Sequence, residues 1–308
     1  MRRLLSAAAA LLLLAGTAQA AEPDMAYAAY QTGHYRRALA EALKRIESDS
    51  KDAAAMTLVG ELYRQGLGVP QDQTIATEWY ERASARGDVN ADFALASVLL
   101  AGPEAAKNQA RAGKLLEKAA AAGHPAANYN LALALLATGQ DADLKRAVGC
   151  LEVAAKAGVG DAMYALATLS KQGRGLTQDD AKAAEWMGKA AGAGQIAGEV
   201  EYAIMLFNGT GTPKDEGAAV RFFQRAAEKG NPIAQNRLAR LYSAGRGVPR
   251  DSILAASWHL AARAQGLDDD QLDRLYDSLN PQQRARAAEL AASRIEGAAL
   301  TSQAPASK

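Results

Sequence analysis

The chain has 308 residues, 49% of them apolar and only 6% aromatic. Its 35 Lys and Arg nearly balance its 34 Asp and Glu, which gives no electrostatic reason to expect nucleic acid or an anionic membrane as a partner. The single cysteine, Cys150, excludes an intramolecular disulfide, and an alanine-rich, aromatic-poor composition suits closely packed helices rather than a β-sandwich.

The first twenty residues, MRRLLSAAAALLLLAGTAQA, combine Arg2 and Arg3, an apolar run from Leu4 to Ala15, and the small-x-small triplet Ala18-Gln19-Ala20. This order of features predicts a secretory signal peptide cleaved after Ala20. The apolar run falls well short of the ~20 residues a spanning helix needs. No cysteine follows the cleavage site for lipid attachment. The expectation is a periplasmic or secreted protein with no membrane insertion after cleavage. Loss of residues 1–20 removes two Arg and no acid, leaving 33 basic against 34 acidic side chains.

Residues 22–51 read as a helix pair turning at Gly33, an N-terminal cap. An internal repeat then begins. Gly87, Gly123, Gly158, Gly194, Gly230 and Gly266 are spaced 36, 35, 36, 36 and 36 residues apart. Four residues before each stands Ala83, Ala119, Ala154, Ala190, Ala226 or Ala262. Eleven before stands Ala76, Ala112, Ala147, Ala183, Ala219 or Ala255. Eight before stands a mostly large residue: Trp79, Leu115, Cys150, Trp186, Phe222 or Trp258, read as core filling between units. A period in this range marks a solenoid or an array. The units are 52–87, 88–123, 124–158, 159–194, 195–230 and 231–266.

Each unit reads as two helices. In 232–266, Ala234, Leu238, Ala239, Leu241 and Tyr242 form a helical stripe. The loop SAGRGVPRD follows, and Asp251 is placed to cap the second helix. Asp72, Asn108, Asp179 and Asp215 hold the same slot. The phase glycine ends the second helix, where a left-handed residue is usually needed. Units 88–123 and 124–158 lack the Gly-x-Gly of the loop, so they are expected to keep their helix pairs but turn differently. Residues 267–296 read as C-terminal capping helices, with Asn280-Pro281 a cap and first helical turn. Residues 297–308 read as a disordered tail.

Three features together carry a resemblance to the Sel1-like repeat family, a relative of the tetratricopeptide repeat. They are the A-x-x-x-L-A/G-x-x-Y core of the first helix, the G-x-G-V-x-x-D loop, and the A-x-x-W-Y-x-x-A-A-x-x-G second helix. Residues 22–51 resemble one tetratricopeptide unit. The resemblance implies an all-α fold, a right-handed superhelical solenoid of helix-turn-helix repeats.

Chemistry is sparse. Gly66-x-Gly68 resembles a phosphate loop, but Gln71 stands at the third glycine position, no strand precedes it and no Gly-Lys-Ser/Thr follows. Its recurrence at one repeat phase marks a helix-to-helix turn. Ser48-Asp-Ser-Lys51 fits Ser-x-x-Lys, yet Ser-Asp-Asn and Lys-Thr-Gly are absent. Cysteine-rich relatives of the family are associated with β-lactam binding, but they carry a disulfide in each repeat, which this chain cannot form. His34, His124 and His259 are far apart and lack metal-ligand spacing. Cys150 occupies the aromatic slot and reads as a buried, inert thiol. Asn208-Gly-Thr210 fits a glycosylation acceptor, but its glycine already has a turn role. No catalytic residue, metal or cofactor is expected.

The resemblance to tetratricopeptide arrays implies that first helices line the concave face. Positions 6, 10 and 13 after each phase glycine share one helical face. At the ends they are polar, as in Thr57, Glu61, Arg64, Asn236, Arg240 and Ser243. In the middle they are largely aromatic and aliphatic, giving as candidate partner-binding residues Phe93, Leu100, Tyr129, Leu133, Leu136, Tyr164, Lys171, Val200, Ile204, Phe207 and Arg240. An apolar, tyrosine-bearing trough with polar rims suits a peptide or helix. Phe93, Tyr129 and Tyr164 could equally pack on the next repeat. The expected function is a non-enzymatic exported scaffold, adaptor or regulator that holds a protein or peptide segment. The alternatives are an enzyme, such as a β-lactamase-like hydrolase, or a cell-wall glycan binder, for which the tryptophans stand at core phase rather than on the binding face.

Overall fold

The computed structural model describes residues 24–102 and 104–303. The expected signal peptide and its cleavage site lie outside these residues. Sixteen helices and no strand occur among the described residues. The chain divides after Asp88 into two compact units.

The first unit holds α1 (Met25–Gln31), α2 (Tyr35–Ser48), α3 (Ala53–Gln65) and α4 (Gln73–Ser84). Each packs on the next. The second unit holds five helix pairs: α5 (Val89–Ala101) with α6 (Ala105–Ala121), α7 (Pro125–Thr138) with α8 (Asp141–Lys156), α9 (Gly160–Gln172) with α10 (Asp180–Gly192), α11 (Ile196–Asn208) with α12 (Glu216–Glu228), and α13 (Pro232–Ala244) with α14 (Ser252–Arg263). Consecutive helices pack throughout. The unit closes with α15 (Asp270–Ser278) and α16 (Pro281–Gln303), which pack on α14.

Small residues set this packing. All twelve alanines at the two repeating second-helix offsets are at most 1% exposed. A methyl group at each contact lets helix axes approach to the short end of the usual 8–10 Å range. The large-residue slot keeps the sequence reading at Trp258, which is 5% exposed and joins the core, and departs from it elsewhere. Trp79 and Trp186 are only half-buried, with Arg82 and Lys189 lying 4.7 and 4.1 Å from their ring centroids. The next residue fills the core instead: Tyr80, Leu116, Leu151, Met187, Phe223 and His259 are each no more than 6% exposed. The second helix turns by about 100° per residue, so a one-position shift moves a side chain from the interior to the flank.

The loops explain the Gly-x-Gly. Gly66 (φ 70°) ends α3 in the left-handed region, and Gly68 (φ 73°) follows in the same region. A β-carbon on Gly68 would lie 2.8 Å from the Arg36 backbone nitrogen, at the start of the preceding second helix. Gly175 and Gly247 meet Leu144 and Glu216 in the same way. The turn therefore joins neighbouring repeats as well as its own two helices. The following aspartate closes it. Asp72 donates its backbone N–H to the Tyr63 carbonyl at 3.0 Å and accepts with its side chain from the N–H groups of Thr74 and Ile75. Asp179, Asp215 and Asp251 cap α10, α12 and α14 likewise.

The two units without Gly-x-Gly turn sooner. Their second helices α6 and α8 run 17 and 16 residues, against 12 or 13 for the others. Asn108 is therefore not a cap. It lies inside α6, whose N-cap position is Glu104, without a side-chain cap bond. The tail expectation also changes. α16 continues to Gln303, because Ala298, Ala299 and Leu300 favour helix and Ala298 lies against Gly230. Residues 304–308 lie outside the described residues.

One buried position has its own chemistry. Asp92, Asn128, Glu199 and Gln235 all stand five residues after a phase glycine, and all are at most 4% exposed. The two amides donate to the carbonyl eight residues back: Asn128 to Ala120 at 2.9 Å and Gln235 to Ala227 at 3.1 Å. Glu199 has no proton to donate when ionised, so Arg225 reaches the equivalent Ala191 carbonyl at 3.2 Å while pairing with Glu199 at 2.6 Å. Lys229 adds a second ion pair at 2.9 Å. Asp92 is paired in the same manner by Lys118.

Candidate functional site: the first-helix face of the second unit

The first helices of this unit have too many apolar residues for one buried stripe. In α5 and α7 nearly the whole circumference is apolar, so some of that surface must face outward once the core is full. Leu100 is 41% and Leu133 45% exposed, among the most exposed large apolar side chains described. Both stand on the stripe at positions 10 and 13.

The other candidates divide by depth. Phe93 is half-buried and stacks on the His124 ring of the next unit, with centroids 4.6 Å apart. Tyr129 and Leu136 are half-buried against the cluster around Leu135, Leu151 and Leu166. Burial pushes the Tyr129 phenol up, with the Asp161 charge adding to the effect. Tyr164 rests in the same partial way on Ala183 and Met187. The aromatics thus pack and retain an exposed edge. Lys171 is exposed. Val200 is a correction: at 5% exposure it belongs to the core with Phe223 and Leu238 and offers no surface to a partner. Its short side chain does not reach past that cluster to the surface, unlike the aromatic rings at position 6 of α5, α7 and α9.

Ile204, Phe207 and Arg240 do come together. They line a cleft of about 310 Å³ with residues of α12, α13 and α15. Arg237 and Arg246, in the same lining, were not singled out from the sequence. Arg237 is one position off the stripe, and Arg246 sits in a loop between two turn glycines. Arg246 lies 4.2 Å from the Phe207 ring centroid. Arg240 donates from Nε to Asp269 at 2.6 Å, and Asn236 donates to the same oxygen at 2.8 Å. Burial acts to raise the Asp269 carboxyl, but the bonds from Asn236 and Arg240 outweigh it and hold the group below its ordinary range.

In the first unit the same stripe is a polar knot. The fully buried Tyr80 hydroxyl donates to Glu61 at 2.7 Å, and Arg64 pairs with Glu61 at 2.5 Å. Burial opposes ionisation of Glu61, yet the bonds from Arg64, Tyr80 and Gln65 prevail and lower its pKa to about 2.

Among the described residues, no group of three or more His, Cys, Asp or Glu is placed to hold a metal ion. Cys150 is half-buried, and burial pushes its thiol up, away from the reactive thiolate. His34 and His124 sit at helix starts, and His259 is buried against Asp273 at 2.8 Å.

The structure is similar to that of c5321, a protective antigen present in uropathogenic Escherichia coli strains displaying an SLR fold. The TM-score is 0.73 at 24% identity, over 92% of this chain and 64% of that one. This chain therefore spans less than two thirds of that protein's length. It is also similar to a Sel1 repeat protein from Oxalobacter formigenes, with a TM-score of 0.64 at 25% identity, over 80% of this chain and 98% of that one. No curated protein matches the chain. The Sel1 repeat itself matches six times in succession, at residues 53–88, 89–124, 125–159, 160–195, 196–231 and 232–267. With these matches falling on the six helix pairs from α3 to α14, the chain belongs to the Sel1 repeat family, an all-α solenoid of consecutive helix pairs.

Proposed function

We propose that this protein is an exported, non-catalytic scaffold that holds a segment of a partner protein on the first-helix face of its second unit. One observation carries the reading. A stack of helix pairs built on one plan leaves Leu100, Leu133 and the edges of Tyr129 and Tyr164 at the surface, on the same stripe of successive first helices. Apolar and aromatic side chains at such spacing suit a helix or extended segment docking by its apolar positions. A repeat scaffold of this family fits a protein partner. Export rests on the signal-like pattern of residues 1–20, and no described helix is long and apolar enough to cross a membrane.

The test is in-cell photo-crosslinking from Leu133, in the wild type and in a Tyr129→Ala/Tyr164→Ala variant. The expected result is a discrete crosslinked protein, lost or strongly reduced in the folded variant. Unchanged capture by a folded variant would overturn this site. Fractionation with N-terminal sequencing tests export, with a mature chain starting at Ala21 expected.

A further inference from the structure

The cleft between α11, α13 and α15 is not a neutral continuation of the apolar stripe. Its lining contributes three guanidiniums, from Arg237, Arg240 and Arg246, and no carboxylate. Ile204 and Phe207 form its apolar part. We propose that this cleft selects an acidic segment of the partner protein, with carboxylates paired to Arg237 and Arg240 and an adjoining apolar side chain resting on Ile204 and Phe207. This deepens the scaffold reading and depends on it.

The three arginines are not equivalent. Arg240 is held by Asp269 through Nε, which leaves its two terminal nitrogens for a ligand. Asp269 is itself fixed, because it caps α15 and is only 3% exposed at its side chain. Arg246 is held by Glu216 at 2.5 Å and by the face of Phe207, and Glu216 is shared with Lys214 at 3.0 Å. Arg237 is exposed and has no ion pair or hydrogen bond among the described residues. It stands three residues before Arg240, on the same face of α13. Two anchored guanidiniums and one unengaged one make a pre-set receptor for planar anions, which a guanidinium binds in a two-pronged manner.

Charge also narrows the occupant. Counting Lys214, four cations here face two carboxylates, Asp269 and Glu216. The residual positive charge suits one or two carboxylates. A phosphodiester strand would instead bring a row of charges past Glu216, and it would make poor use of Ile204 and Phe207.

The experiment uses fluorescence anisotropy with the full mature chain. The probes are a labelled short peptide of alternating acidic residues around one leucine, its lysine-for-acid counterpart, and an oligothymidylate of equal length. The expected result is binding of the acidic peptide that weakens with salt, and at least about tenfold weaker binding of the other two. Arg237→Glu should weaken the acidic peptide about tenfold or more, the scale of one lost charge-assisted contact. Lys145→Glu, on the exposed face of α8, should leave it unchanged. Arg237 has no ion pair or hydrogen bond among the described residues, so its substitution should not unfold the protein, and circular dichroism checks this. Equal binding of acidic and basic peptides, or equal behaviour of the two variants, would overturn the proposal. Tighter binding of the oligothymidylate would replace it with a phosphate site. If the acidic peptide fails while Tyr129 and Tyr164 still govern crosslinking from Leu133, the acidic preference falls and the scaffold reading stands. If both fail, both fall.

Discussion

Glu199 is a carboxylate with no exposed surface, and its two cations are Arg225 of α12 and Lys229 at the C-cap of that helix, in the same repeat. Removing one partner of a buried pair leaves a charge without compensation, which typically costs 3–5 kcal/mol. Arg225→Ala should destabilise the second unit by less than that, about 1–3 kcal/mol in urea unfolding, because Arg225 is half exposed and Lys229 still reaches both Glu199 oxygens. Glu199→Gln should be far milder. Gln235 shows that an amide at this position bonds the carbonyl eight residues back without help. The double variant Glu199→Gln/Arg225→Ala should then recover most of the loss, and purely additive effects would refute this account. Glu61 supplies a second residue-scale test, in the first unit. Its pKa is lowered from 4.5 to about 2, so its ionised form stabilises the fold above pH 4.5 and that contribution fades as pH falls through 2. The shift corresponds to roughly 3 kcal/mol at most. Thermal melts of Glu61→Gln and wild type should differ most above pH 5 and converge toward pH 2. A gap independent of pH would show that Glu61 acts by shape alone.

At the scale of the element, the turn carries most of what the sequence made legible. The phase glycines and the Asp caps could be placed by spacing alone, because backbone handedness and orphan N–H groups are local demands. The second glycine of Gly-x-Gly was legible as a turn residue but not as a contact. That Gly175 touches Leu144 depends on how one repeat lies on another, which spacing does not reveal. The same limit explains Asn108, a good cap by type that the shorter turn drew into α6. It also explains the tryptophan slot, where a difference of one position decides between core and flank. Gly158 and Gly175 separate the two roles. Both have positive φ, but a β-carbon on Gly158 meets nothing within 4 Å, while on Gly175 it would lie 2.7 Å from the Leu144 carbonyl oxygen. Gly158→Ala should cost about 1–2 kcal/mol from backbone strain alone. Gly175→Ala should cost clearly more, because backbone must also move. Equal losses would mean that the neighbouring repeat yields freely at that turn.

A repeat array that ended at α14 would leave an apolar face open, and at the scale of the molecule α15 and α16 decide whether the second unit is a finished body. The sequence indicated capping helices over residues 267–296, but the meeting of Arg237 and Arg246 in the cleft beside α15 and the reach of α16 were not legible, since both depend on side chains far apart in the chain. α16 contributes Ala287 to the cluster with Ala256 and Leu279. Arg294 donates to Ser257 at 2.7 Å and covers the Trp258 ring at 4.1 Å. Burial lowers the Arg294 pKa, with weaker opposition from Tyr242 and Glu228, and the half-buried side chain takes part in the packing. Ending the chain after Asn280 should uncover Trp258 and the apolar side of α14. At about 1.5–3 kcal/mol for each large buried apolar side chain re-exposed, the loss should reach at least ~3 kcal/mol in urea unfolding of the second unit, with increased dye binding to apolar surface and self-association. Ending it after Gly297 keeps Arg294, Ala287 and Ala291 in place and should cost under ~1 kcal/mol. The pair of truncations distinguishes a cap from a tail: a midpoint unchanged by the longer deletion would show that α15 alone closes the array, because terminal repeats need a covering element only where apolar surface would otherwise face water.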